Sequence, residues 1–256
     1  MNIGKLLPVT SCFLTIAFSV IFFSSAHAQV VSAQQAAQDT EIQNLLLLEP
    51  AFGISFGYVE KDTNPGGGKY LCGGMTTNEA RTAAGVVRSA FGKMPSPALA
   101  KAQLKYIILC SRAEVSGQAI GGIPVPPLNL LMLAMKGSQS DGEHLTFHEL
   151  YHLLEYRFNT FSDATWQSRF PSGYANSYAG HATLSSIGSG QTGFLNSYSE
   201  TFPHEDRAEL FSSLLLEAPK VAAQINSKND TVLREKVIYL VNKWNPLLGI
   251  ALPFPR

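Results

Sequence analysis

The sequence predicts an α+β fold, with a small mixed sheet and one long helix in one lobe and a mainly helical second lobe. Three observations lead there. Two short apolar runs, Tyr106–Cys110 and Asn129–Met135, have the length of buried strands. Four longer segments, residues 76–91, 143–158, 205–216 and 231–244, carry apolar residues at helical spacing. Between them, residues 159–199 hold only two charged side chains, Asp163 and Arg169, among many Ser, Gly and Asn, and read as a long irregular connection.

Each segment has its own justification. Lys5, the apolar stretch Phe13–Phe23 and the small-x-small site Ala26-His27-Ala28 read as a secretory signal over residues 1–28, cleaved before Gln29. The apolar stretch is short for a membrane span. The expectation is therefore an exported protein, periplasmic or secreted, with no stable membrane anchor after cleavage and one domain over residues 29–256. Residues 29–40, rich in Gln and Ala, look like a frayed lead-in, and Glu41 to Leu48 could continue as a helix. Asn64-Pro65-Gly66-Gly67-Gly68-Lys69 is a turn that lacks the ending and spacing of a phosphate loop. Thr76 to Phe91 is helical, with Thr77 or Asn78 as its cap. Gly121–Pro127 reads as a loop. Thr231 to Trp244 is a final amphipathic helix.

Composition excludes several function classes. The chain has 256 residues, 45% of them hydrophobic and 15% charged, which is enough apolar material for a core. Its 19 basic and 19 acidic residues cancel, and no Lys/Arg run suggests a nucleic-acid surface. Cys12 leaves with the signal. Cys72 and Cys110 could form one bridge in an oxidising compartment, or Cys110 could be a buried free thiol in its apolar run; both readings stand.

The chemistry concentrates in His148-Glu149-Leu150-Tyr151-His152, an H-E-x-x-H pattern within a helical segment. Residues four apart share a helix face, so both imidazoles can reach one metal ion. Glu149, next to the first His, is placed to hold a metal-bound water, whose pKa Zn2+ lowers to about 7. The flanking Thr146, Leu150, Tyr151 and Leu153 are uncharged, which suits a helix buried on its other face. A catalytic zinc site uses three protein ligands. The extension H-E-x-x-H-x-x-G-x-x-H fails, because Glu155 stands in place of the Gly and Phe158 in place of the last His. Glu155 could approach the metal face, or act as a surface or supporting carboxylate. The stronger third ligand is Glu205, on one helix face with Glu209, which can then accept the free N–H of a ligand histidine. Asp206 reads as an acidic first-turn residue favoured by the helix dipole.

With these residues in view, the sequence resembles the gluzincins, and in particular the family of the anthrax lethal factor catalytic domain. That family shows H-E-x-x-H, then a Tyr, then a Glu seven residues later within an E-x-x-A-E helix. Tyr198 and Glu205-Asp206-Arg207-Ala208-Glu209 reproduce this spacing, although Arg207 replaces an apolar residue common in such helices. The likeness spans roughly residues 100–220. It implies a zincin-like fold with the metal cleft between residues 100–158 and 198–250. It also implies His148, His152 and Glu205 as zinc ligands, Glu149 as general base, Tyr198 as the phenol that stabilises the oxyanion, and Glu209 behind a ligand histidine.

Tyr174 and Tyr178 compete for the phenol's role and read first as packing anchors. His144, His181 and His204 read as surface or loop residues. Asn129–Met135 is the candidate strand for pairing with an extended peptide, unless it is wholly internal. The expected activity is a zinc-dependent endopeptidase acting on a peptide or protein. The alternatives are a catalytically weak zinc-binding domain that recognises peptides or envelope partners, and hydrolysis of another amide or ester.

Overall fold

The computed structural model describes residues 45–64, 69–135, 137–170, 172–179 and 187–253. The signal-peptide reading, the 29–40 lead-in and His181 lie outside them. Residues from Leu45 onward form one unit. No helix among the described residues is long and apolar enough to cross a membrane.

The chain enters through a hairpin of β1 (Leu46–Ala51) and β2 (Ile54–Tyr58). Phe52 and Gly53, at φ 57° and 74°, make the two-residue turn; two-residue turns with positive φ suit the right-handed twist of the strands they join. The helix expected over Glu41–Leu48 is therefore corrected where it is described: Leu46, Leu47 and Leu48 pair with Tyr58, Gly57 and Phe56. Strand β3 (Tyr70–Cys72) leads to helix α1 (Thr77–Gly92). Its cap is Thr76, one residue before the expected position, in a reciprocal capping box with Glu79. A short helix α2 (Ser96–Ala102) precedes β4, which spans the expected Tyr106–Cys110.

Two short strands, β5 (Ala113–Val115) and β6 (Gln118–Ile120), join β3 in a small antiparallel sheet. The Cys72–Cys110 disulfide links that sheet to the main one, with Cα atoms 5.2 Å apart. This resolves the cysteine question in favour of the bridge.

Gly121–Pro127, expected as a loop, contains strand β7 (Gly122–Val125) followed by a single 3-10 turn at Pro126–Leu128. Pro124 is tolerated because β7 is an edge strand among the described residues, paired there only with β8 (Leu130–Ala134). The main sheet runs β1-β2-β4-β8-β7, with β2, β4 and β8 parallel and both edges antiparallel. The second apolar run is therefore internal, which corrects its reading as a peptide-pairing edge. Continuous apolarity is what a strand with a neighbour on each side and both faces covered requires.

Helix α3 (Gln139–Arg157) starts four residues before the expected Glu143, because Ser138 caps it with Asp141 in a second capping box. It packs against α1, β7 and β8, and along a long helix α5 (Pro203–Lys228). The connection between them is irregular except for α4 (Ala164–Arg169), which buries Trp166. Helix α5 bends at Glu217, two residues before Pro219, and then continues to Lys228. A proline inside a helix removes one backbone bond and crowds the preceding turn, so the bend falls where the expected helix ended. Helix α6 (Thr231–Leu248), capped by Asp230, closes the second lobe and buries Trp244 against Tyr151 and Phe211.

Candidate metal centre

The site forms where one face of α3 meets the first turns of α5. The 3.6-residue period brings His148 and His152 into line, with ring centroids 4.8 Å apart. Pro203 at the start of α5 fixes the entry of that helix, and Glu205 and Glu209 follow on one face. His148 Nε2 and His152 Nε2 lie 3.1 Å apart, and both face Glu205 Oε2, at 2.8 and 3.3 Å. All three side chains are buried.

Behind this trio stand further acceptors. Glu209 Oε1 accepts from His148 Nδ1 at 2.9 Å, and its other oxygen accepts from the Asn196 amide at 2.5 Å. His144 Nε2 lies 3.1 Å from both Glu209 Oε1 and Ser212 Oγ. His144 is thus a partly buried member of the network, which corrects its reading as a surface residue. Glu155 Oε2 lies 3.4 Å from His152 Nδ1.

Glu149 is buried on the β7 side of α3. Gly122 makes this possible, since a Cβ there would come within 2.7 Å of Glu149 Cγ. Two tyrosines border the trio. The Tyr198 ring lies 5.8 Å from that of His148. Tyr178 stacks at 6.1 Å from Tyr198 and donates to Glu205 Oε1 at 2.7 Å. Tyr174 is elsewhere: it accepts from Trp166 Nε1 and donates to Asp206, so it anchors packing as expected.

Two residues of α5 have partners that their sequence readings did not include. Asp206 stands in the first turn, as expected, and is fully buried and paired with Lys236 at 2.7 Å. His204, expected as a surface or loop residue, is partly buried at the start of α5: its Nε2 lies 3.3 Å from Glu205 Oε1, and its ring stacks on Phe161 at 4.6 Å. Residue-to-residue angles along a helix could not show either contact, because Lys236 and Phe161 arrive from distant segments. Asn196 carried no sequence signal at all.

The electrostatics follow from burial and proximity. Burial alone would lower the His148 pKa, but hydrogen bonds with Glu205 and Glu209 and their charges raise it well above the usual value. His152, also opposed by burial, is raised to about 9 by Glu205 and Glu155. Burial would raise Glu205, yet the charge of His152 and its histidine hydrogen bonds hold it well below the ordinary carboxylate range. Burial raises Glu149, only partly offset by His148 and His152. Burial and the Glu205 charge raise both Tyr198 and Tyr178, so both phenols are neutral donors.

The donor set suits a metal ion. His148, His152 and Glu205 could hold one, and so by proximity could His144, His148 and Glu209. Tetrahedral zinc with bonds of about 2.0–2.2 Å separates its ligand atoms by about 3.3 Å. The first trio, at 2.8 to 3.3 Å, approaches that spacing, its closest pair needing to open by about half an ångström. In the second, His148 would have to bind through the nitrogen that already faces Glu209.

No family model matches the chain, and no curated protein matches it in sequence. Among solved structures, the crystal structure of a candidate zinc-binding metallo-peptidase from Bacteroides caccae is similar. The match covers 78% of this chain and 82% of that one, at 14% identity and a TM-score of 0.51. The chain thus has a metallopeptidase-like fold, with a small mixed sheet and about half of the described residues in helices, and a His/Glu group able to hold a metal ion.

Proposed function

We propose that the protein is an exported zinc-dependent peptidase in which His148, His152 and Glu205 hold the metal. The observation that carries this reading is the convergence of the two histidine Nε2 atoms and Glu205 Oε2 within 3.3 Å of one another. When bound, zinc supplies water acidified to a pKa of about 7 and polarises a carbonyl oxygen.

The chain's own residues supply the rest. Glu149 is the general base: its raised pKa suits a group that takes a proton from water and returns it to the leaving amine. Tyr198 donates a hydrogen bond to the carbonyl oxygen as negative charge develops there. Glu209 fixes His148 by accepting from Nδ1, so that Nε2 faces the metal. Strand β7 borders Glu149 and, among the described residues, pairs on one side only, so its outer edge can receive an extended peptide by backbone hydrogen bonding. The substrate is a peptide or protein, and the balanced charge offers no nucleic-acid surface. The Cys72–Cys110 bridge supports export, since disulfides persist in oxidising compartments.

Chelation tests the reading. Metal-stripped protein is expected to lose cleavage of a mixed peptide pool and to regain it with one equivalent of zinc. Cleavage by protein shown to be metal-free would overturn the proposal. Zinc binding without cleavage of any peptide would favour the peptide- or envelope-partner recognition domain instead.

A further inference from the structure

His152 is backed by a carboxylate that is itself held by an arginine. Glu155 lies three residues beyond His152 on α3, with Oε2 3.4 Å from His152 Nδ1. Its other oxygen, Oε1, accepts from Arg207 Nε at 2.6 Å. A second Arg207 nitrogen donates to the Phe161 carbonyl at 2.8 Å. Both side chains of the Glu155–Arg207 pair are 0% exposed.

Burial makes this pair costly. Removing two charges from water carries a desolvation penalty, and apolar residues of similar volume often serve the fold as well or better. The pair does, however, join the two helices that carry the metal group. Arg207 sits two residues after Glu205 on α5, and Glu155 sits behind His152 on α3. We propose that Glu155, clamped by Arg207, is a positioning residue that accepts from His152 Nδ1–H and so holds Nε2 toward the metal point. The same clamp fixes Glu205 opposite it. His152 then has the support that Glu209 gives His148, with each imidazole backed by its own carboxylate.

The inference rests on His152 being a zinc ligand, and its test separates the two claims. Zinc affinity is measured by chelator competition for the wild-type protein and for the double variant Glu155→Met with Arg207→Met. The double change removes both charges at similar volume, so no buried charge is left unpaired. The expected result is a melting temperature near the wild-type value with a zinc Kd raised about 10–100-fold. A wild-type Kd in the double variant would overturn the positioning role while leaving His152 as a ligand. Failure of the wild-type protein to bind zinc would defeat both claims. Should the double variant not fold, the zinc-loaded wild-type protein decides by NMR. A slowly exchanging, downfield His152 Nδ1 proton supports the clamp, and one in rapid exchange with water overturns it.

Discussion

Gly122 on β7 leaves the space that Glu149 occupies: a Cβ at that position would lie 2.7 Å from Glu149 Cγ and 3.0 Å from its Cδ. The carbonyl of Met132 on β8, also 3.0 Å from such a Cβ, blocks retreat in the other direction. An edge strand and a candidate catalytic carboxylate therefore share one tight boundary. Gly122→Ala should displace Glu149 without touching the metal trio. Misplacing a reacting group by about 1 Å can cost on the order of 10²-fold in rate. The expected outcome is a fall of about that size in kcat/KM with zinc content unchanged, read by steady-state kinetics and elemental analysis. Wild-type kinetics would separate Glu149 from the reaction.

Glu205 and Tyr198 should fail differently. Glu205→Ala removes one of three converging donor atoms, so metal retention should fall sharply on dialysis. Tyr198→Phe removes only a phenol OH, so zinc occupancy should stay near wild type while kcat drops about 10²–10³-fold, as for loss of one oxyanion donor. Equal zinc occupancy in the two variants would take Glu205 out of the ligand set. Full activity in Tyr198→Phe would shift attention to Tyr178, whose OH lies 2.7 Å from Glu205 Oε1.

Metal-free protein should have a narrow pH range of greatest stability. His152 titrates at about 9 when folded, against about 6.5 unfolded, and His148 is also raised well above its unfolded value. Their stabilising contribution is complete below about pH 6.5 and is lost as pH rises through the folded values. Glu205 is shifted down, so its contribution is present above about pH 4.5 and is lost as pH falls toward its folded value. Thermal melts without metal should therefore peak between about pH 4.5 and 6.5. Zinc must displace the histidine protons, so its apparent affinity should rise with pH up to about 9. A stability maximum above pH 8 without metal would contradict the ion-paired trio.

The disulfide should contribute to stability through the unfolded chain. Cys72 and Cys110 are 38 residues apart, a loop whose closure in the unfolded state is worth up to about 4 kcal/mol. Cys72→Ser with Cys110→Ser should lower unfolding free energy by about 2–4 kcal/mol in denaturant titrations. An unchanged midpoint and slope would mean that the bridge adds nothing.

The parts of the site that are local in sequence were legible in it. His148 and His152 need only helical spacing to converge, and the two apolar runs are strands because an apolar run of that length suits a buried sheet. Glu205 is read from the helix face it shares with Glu209, and Tyr198 through a family spacing. Glu155 and Arg207 were not legible as a pair, because only the packing of α3 on α5 joins them across 52 residues. The Asp206 ion pair was hidden for the same reason, its partner Lys236 lying on α6. Strand β7 was hidden by Gly and Pro, which mark loops in most contexts but also mark edges. The β1 segment was hidden because its register is set by β2 and the Phe52-Gly53 turn, not by its own apolar pattern.

The most direct test of the central claim is Glu149→Gln, prepared with zinc beside the wild-type protein and given the same peptide pool. The account predicts one zinc per chain in both proteins and cleavage products only from the wild type. Cleavage that survives Glu149→Gln, with zinc bound, would contradict it.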